Sequence, residues 1–395
     1  MSVWLELCLY ALGTLGHVAV CVTALNRVQG TIAEHAVERL FKKAVTLWAI
    51  VGLCLPFLEM WQSSKVRTPW QIVAGQLVDV WGYYTLATAW LVMTAVRRLA
   101  QVWIDRCPNV WQMLESRLVC VESEVGVAFE DYSTRPFWFS LAGNQIGELE
   151  VNKKEIVNSA LPVGLDGLKI THFSDLHITG TVPKAYFEWL CQEIQQLNSD
   201  IIFLTGDFVD NPEKLAWLVD LVSDLQAEHG NYFVLGNHDV RFGQERRLRE
   251  CLTDAGWIDL GGKFVQLQIG EHELLLAGNE LPWIGQAPDC HPGEHAYSIC
   301  AVHTPDLLRW GKSQQYDLML AGHAHGGQIR IPWIGPVVCP SVHGVRYASG
   351  VFQAGKTVMH VSRGISGLQP IRLRCRPELT QLILRRSAEN EATAN

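Results

Sequence analysis

The chain has 395 residues, 48% hydrophobic and 18% charged, with a formal net charge of −8. Ordinary soluble chains carry roughly 25% charged residues, and single cores stop growing near about 250–300 residues, so a disordered or fibrous chain and a single compact domain are excluded. The acidic balance speaks against a general nucleic-acid binder, which needs a basic stripe. The 11 cysteines contain no Cys-x-x-Cys pair, so neither a disulfide framework nor a thiolate zinc site is indicated, in keeping with a reducing compartment.

The apolar excess lies at the front. Val3 to Leu25 is an apolar run carrying Glu6 and His17; a second covers Ala44 to Phe57, extendable to Trp61, and a third Val80 to Val96. At about 1.5 Å rise per residue, roughly 20 residues span the hydrocarbon core. The first run meets that length; the others are borderline. Trp4, Trp61, Trp70 and Trp103 lie near run ends, where interfacial anchors sit. Met1–Leu7 has no positive charge and the run is too long for a cleaved signal peptide; the alternative is a set of buried helices in a soluble domain. The reading is a membrane anchor of about three helices over residues 1–100. Arg27, Arg39, Lys42 and Lys43 in the first connection, and Arg97, Arg98 and Arg106 after the third run, outnumber Lys65 and Arg67 in the second connection. The positive-inside rule then predicts a multi-pass protein of the cytoplasmic or inner membrane, with everything after Val96 on the cytoplasmic side. That orientation holds only if the second run spans.

Residues 101–150 read as a linker and leading strands, 151–386 as the main domain and 387–395 as a disordered tail. Within the main domain, buried strands are expected at Leu168–Phe173, Ile201–Leu204, Tyr232–Leu235, Tyr297–Val302 and Leu318–Leu320. Helix patterns fall at Pro183–Leu197, Pro212–His229 and Gln244–Ala255. Further strands are expected at Phe264–Ile269, Glu273–Leu276, Thr357–Val361 and Leu379–Leu384. The fold class is α/β, two packed sheets flanked by helices, preceded by the transmembrane helical region.

A polar cluster follows each of the five buried strands: Ser174-Asp175-Leu176-His177, Thr205-Gly206-Asp207, Gly236-Asn237-His238-Asp239, His303, and Gly322-His323-Ala324-His325. Ligands in open α/β sheets bind beyond the carboxyl ends of strands, so these clusters can converge. Asp175 and His177, two apart in a segment expected to be extended, would project to one side; His323 and His325 repeat that spacing. Asp207 sits behind a glycine, where another backbone or an ion can approach. Imidazole, carboxylate and amide oxygen without thiolate suit divalent Mn, Fe, Zn or Mg. Seven such groups are too many for one tetrahedral ion and fit two ions about 3.5–4 Å apart. A lone buried histidine is more often a satisfied core residue, so His172, His229, His272, His291, His295, His343 and His360 stay unassigned. Asp210 either supports a ligand or begins a turn, and is not counted among the site residues.

In this order the motifs resemble the calcineurin-like metallophosphoesterases, over roughly Leu161 to Arg386. Leu165–Ile170, Gly322–Ile329, Ser362-Arg363-Gly364, Pro370–Leu373 and Arg376-Pro377-Glu378 resemble membrane-anchored bacterial members of the YkuE and YaeI type. The resemblance implies a two-sheet sandwich and a first ion on Asp175, His177 and His325, bridged by Asp207 to a second on Asn237, His303 and His323, with Mn favoured. It also implies hydrolysis of a phosphate ester by metal-activated water. His238 would protonate the leaving oxygen or bind phosphate, with Asp239 fixing its ring.

The expected partners are a phosphate-ester substrate and the bilayer, with no nucleic acid. A family member that cleaves the pyrophosphate of UDP-diacylglucosamine offers one analogy for a lipid-linked substrate. The alternatives are a tethered phosphodiesterase or phosphatase for soluble nucleotides or phosphates, and a non-catalytic metal-binding scaffold. Asn279–His295, with Leu281, Trp283 and Ile284, reads either as an apolar lip for acyl chains or as a surface loop.

Overall fold

A computed structural model describes residues 3–31, 35–62, 80–105, 109–126, 141–241, 243, 245–294, 297–369 and 371–387. Lys65, Arg67, Trp70, Arg106, His295 and the tail from residue 388 lie outside the described residues. The chain forms two compact units, one from residues up to Arg106 with Val342–Arg346, the other from Cys107–Ser341 with Tyr347 onward.

In the first unit the three apolar runs are helices α1 (Val3–Thr31), α2 (His35–Gln62) and α3 (Val80–Ile104). Small residues let them approach: a Cβ on Gly16 would lie 2.4 Å from the Ala87 carbonyl, and one on Gly52 would strike the His17 ring. The Tyr84 hydroxyl donates to the Gly52 carbonyl at 3.0 Å. Among the described residues, one helix, over Cys8–Thr31, is long and apolar enough to cross a membrane. Lys42 and Lys43 precede the apolar part of α2, and Arg97 and Arg98 follow that of α3. Among the described residues, helix length and composition support one span, where the sequence reading sets about three.

The second unit is built from two sheets. The first has seven strands in the order β1-β2-β15-β3-β4-β5-β6, where β1 is Trp111–Cys120, β2 Glu148–Asn158, β3 Lys169–Phe173, β4 Ile201–Thr205, β5 Asn231–Val234, β6 Ile258–Asp259 and β15 Glu378–Arg386. The second has six, β13-β14-β10-β9-β8-β7, where β7 is Phe264–Ile269, β8 His272–Asn279, β9 Tyr297–Val302, β10 Leu318–Ala321, β13 Gly350–Ala354 and β14 Thr357–Val361. A two-strand ribbon, β11 (Arg330–Ile331) with β12 (Gly335–Pro336), stands apart. Strands β3 to β6 run parallel, as do β14, β10, β9 and β8.

Period-two alternation explains the layers. Ile170, Phe203, Tyr232 and Val234 face Leu276, Ile299, Ala301 and Leu320 between the sheets. Phe173, Ile202, Leu204 and Phe233 face outward onto Phe187, Leu190 and Leu218 of the flanking helices. The expected two-sheet α/β architecture is therefore observed. Strand β1 falls in the 101–150 stretch read as a linker with leading strands, and most of β2 lies in the main domain at positions where no strand is expected. Strand β1 is exposed along most of its length, and β2 turns Lys154 inward, so neither shows clean alternation. The helix expected over Pro212–His229 is a single 3₁₀ turn followed by Leu215–Val222; beyond it Leu225 is still buried, but its amide donates to the Val222 carbonyl in a turn.

Candidate metal centre

The five expected clusters lie just past the carboxyl ends of β3, β4, β5, β9 and β10. Asp175 and His177 are not extended: their φ angles are 56° and 44°, and Asp207, His323 and His325 also lie in the left-handed region at 57°, 65° and 48°. Asp and His enter that region several-fold more readily than most residues. The loops hold them there: the Asp175 amide donates to the Gly206 carbonyl and the His177 amide to the Asp207 carbonyl, both at 3.0 Å. The side chains converge because two bent loops are laced together. Strand alternation plays no part.

Glycine makes the crowding possible. At Gly206 (φ +91°) a Cβ would sit 2.3 Å from His303 Nδ1 and 2.7 Å from the Gly236 amide, and at Gly322 it would meet Ser174 Oγ at 1.9 Å. The close approach expected behind Asp207 is made by the Gly236 backbone and the His303 ring.

Two groups of donor atoms share Asp207, one of Asp175, His177, Asp207 and His325 and one of Asp207, His303 and His323; a third, His177, Asp210 and His238, adjoins the first, and within each the atoms lie within 4.8 Å of one another. Asn237 Oδ1 joins the second group, 3.1 Å from His303 Nε2. His303 Nδ1 donates to the Thr205 carbonyl at 2.7 Å, so Nε2 offers a lone pair, and it faces Asp207 Oδ2 at 3.3 Å and His323 Nδ1 at 3.1 Å. His177 Nδ1 donates to Asp210 Oδ2 at 2.6 Å, leaving its Nε2 lone pair toward His325 Nε2 at 3.1 Å and Asp207 Oδ2 at 3.6 Å. Buried imidazoles and carboxylates crowded this closely are unfavourable unless protons or a cation lie between them. The donor set fits divalent metal.

Without a cation, protons fill that role. Burial opposes ionisation of Asp207, but His303, His238 and His177 hold its carboxyl well below the usual carboxylate range. Burial likewise opposes charging of His303, yet Asp207 and Asp175 raise it to about 9. Asp175 is pushed up by burial, with Asp207 adding to it.

The partner of His238 differs from the expected one. Its Nδ1 pairs with Asp210 Oδ1, whereas both oxygens of Asp239 accept backbone amides, those of Asp207, Phe208 and Gly236, each at 2.8 Å. Asp239 ties the β4 loop to the β5 loop. Burial, then Asp207, pushes its carboxyl up to about 7. Asp210, weighed in the sequence as a ligand support or a turn residue and not counted, holds both His177 and His238, and despite its burial those bonds keep its own pKa depressed. The signal for it was a carboxylate three residues past Asp207, indistinguishable in sequence from a turn residue. Trp283, from the expected lip segment, packs its ring 4.9 Å from that of His323 and 5.5 Å from that of His303.

A two-sheet α/β fold with this donor set past its strand ends defines a metal-dependent phosphoester hydrolase. The calcineurin-like phosphoesterase family profile matches residues 168–327. The chain is 30% identical over 253 residues to the metallophosphoesterase YkuE of Bacillus subtilis (strain 168), spanning 60% of this chain and 86% of that one. It is 29% identical to phosphodiesterase YaeI of Escherichia coli (strain K12), over 69% of this chain and 98% of that one. To the UDP-2,3-diacylglucosamine pyrophosphatase LpxG of Chlamydia muridarum it is 24% identical, over 54% of this chain and 83% of that one. The chain belongs to the calcineurin-like metallophosphoesterase family.

Proposed function

We propose that the protein is a membrane-anchored hydrolase of phosphodiester or pyrophosphate bonds that works with two divalent cations. The first is held by Asp175, His177 and His325, the second by Asn237, His303 and His323, with Asp207 shared. The observation that carries this reading is the convergence of buried lone pairs on two points joined by one carboxylate. When bound, such a pair supplies the Lewis acidity that lowers the pKa of water and offsets phosphoryl charge. Asp210 holds His238 through Nδ1, leaving Nε2 to carry a proton to the leaving oxygen. Asp239 acts on the backbone of the loops. The domains follow the same division: an anchor over residues 1–100, a linker with leading strands to 150, the hydrolase domain over 151–386 and a tail. Provided α2 spans as well, the Lys/Arg asymmetry faces the hydrolase domain to the cytoplasm.

Two features support a lipid-linked substrate over a soluble one. One is the apolar helix at the front. The other is the β11–β12 ribbon, which starts five residues after His325 and carries exposed Ile331, Trp333 and Ile334. The similarity to an enzyme named for a lipid-linked nucleotide points the same way.

The test uses full-length protein in detergent, stripped of metal and reloaded with Mn, Fe, Zn or Mg. Two metal equivalents with turnover of bis-(p-nitrophenyl) phosphate support the reading. Two equivalents with no turnover on any ion would indicate a scaffold. Comparing UDP-diacylglucosamine with cyclic nucleotides then separates lipid-linked from soluble substrates.

A further inference from the structure

Several buried ionisable groups between the sheets take no part in the site as described. Alternation places Lys154 inward with Ile156, His172 with Ile170, Thr205 with Phe203, His360 with Val358 and Glu378 with Leu382, all of them buried. An ion pair and two imidazoles in that position cost more than apolar residues of the same volume. They are joined end to end. Lys154 Nζ donates to Glu378 and, at 3.0 Å, to His360 Nε2. His360 Nδ1 meets His172 Nδ1 at 2.8 Å, and His172 Nε2 meets Thr205 Oγ1 at 2.9 Å. The ammonium has no lone pair, so it sets the direction: each imidazole accepts on the lysine side and donates toward Thr205. Both rings are neutral, since burial pushes His172 down to about 3 and His360 well below its ordinary value.

Both ends of this network reach a metal-ligand candidate. The Thr205 carbonyl accepts the Nδ1–H of His303 at 2.7 Å, the bond that aims the Nε2 lone pair. At the other end Glu378 accepts from Arg363 Nε at 3.0 Å, and the Arg363 carbonyl accepts from Arg372 at 2.6 Å. Arg372, fully buried, donates from the same nitrogen to the His325 carbonyl at 2.9 Å. The Ser362-Arg363-Gly364 and Arg376-Pro377-Glu378 stretches, which the chemistry leaves without a task, supply this end.

We infer that Lys154 and Glu378 form the hub of one positioning network, which aims His303 through His360, His172 and Thr205 and fixes the His325 loop through Arg363 and Arg372. The inference rests on the two-cation reading and assigns each arm to a different ion. Groups that orient metal ligands typically change affinity about 10–100-fold when altered.

Mn(II) titration of the metal-stripped full chain in detergent, followed by electron paramagnetic resonance of free and spin-coupled Mn(II), gives two dissociation constants. His325→Ala and His323→Ala assign them, each removing one ion's ligand. His172→Gln and Thr205→Val are expected to weaken the second ion about 10–100-fold and leave the first within about twofold. Arg372→Lys should do the reverse, and Lys154→Met should weaken both. The double variant His172→Gln/Thr205→Val should bind no more weakly than the weaker single variant, because both cut one path. Thr205→Val, which keeps the side-chain shape, carries the first arm if His172→Gln does not fold. Variants that lower the melting temperature while both constants stay within about twofold would overturn the inference, as would an arm that weakens both ions alike. An unaltered chain that takes up fewer than two Mn(II) overturns the two-cation reading itself.

Discussion

Asp210 and His238 are joined through Oδ1 and Nδ1, while the other oxygen of the same carboxylate takes Nδ1 of His177 at 2.6 Å. One side chain thus orients a metal-ligand candidate and the candidate acid together. Asp210→Asn keeps the shape but can accept only one of the two bonds. Turnover should fall by about 10²–10³, within the range for general acid–base groups. Because His177 is also affected, Mn affinity should drop about tenfold. Steady-state kinetics with parallel metal analysis checks both.

His238→Ala should keep both metals and lose turnover. If His238 protonates the leaving oxygen, the loss should be about 10²–10⁴-fold with alkyl leaving groups and far smaller with p-nitrophenolate, which leaves without a proton. A loss independent of leaving group would point to phosphate binding; loss of metal would remove His238 from either role.

Asp207 is the carboxylate shared by two donor groups. Asp207→Ala should lose metal and activity in parallel, read by elemental analysis. Gly206→Ala should do so indirectly: its Cβ would lie 2.7 Å from the Gly236 backbone at a φ of +91°. Roughly 2–4 kcal/mol of stability should go with it. Chemical denaturation with and without Mn separates the two effects.

His172 titrates at about 3 in the folded chain against 6.5 unfolded, chiefly because burial disfavours its charged form. The unfolded chain therefore takes up this proton first on acidification. The contribution is intact above pH 6.5 and drains away down to about pH 3. Over that window each unit of pH should cost about 1.4 kcal/mol for this group. Denaturation in chelator at pH 7, 5.5 and 4.5 should show a slope one proton smaller in His172→Gln; an unchanged slope would mean that the ring is not buried neutral.

Trp333 and Ile334 are exposed at the tip of the ribbon after the His325 loop. If the substrate is lipid-linked, Trp333→Asp/Ile334→Asp should lower turnover of substrate presented in vesicles about tenfold or more. It should leave soluble bis-(p-nitrophenyl) phosphate unaffected. Equal rates on both substrates would favour a soluble one.

The sequence by itself located the strands that carry the site, the two-sheet class and seven polar groups at strand ends, because alternation and residue type are local properties that neighbouring residues impose; the order of strands within each sheet came only with the tertiary structure. It did not determine how those groups meet. The expectation that Asp175 and His177 project together from an extended strand was wrong; loop-to-loop hydrogen bonds hold both in the left-handed region. Asp210 looked like a turn residue, and His172 and His360 like ordinary core histidines, until the tertiary structure set them against partners 28 and 188 positions away. A buried polar side chain is defined by what sits across from it, and packing between sheets decides that.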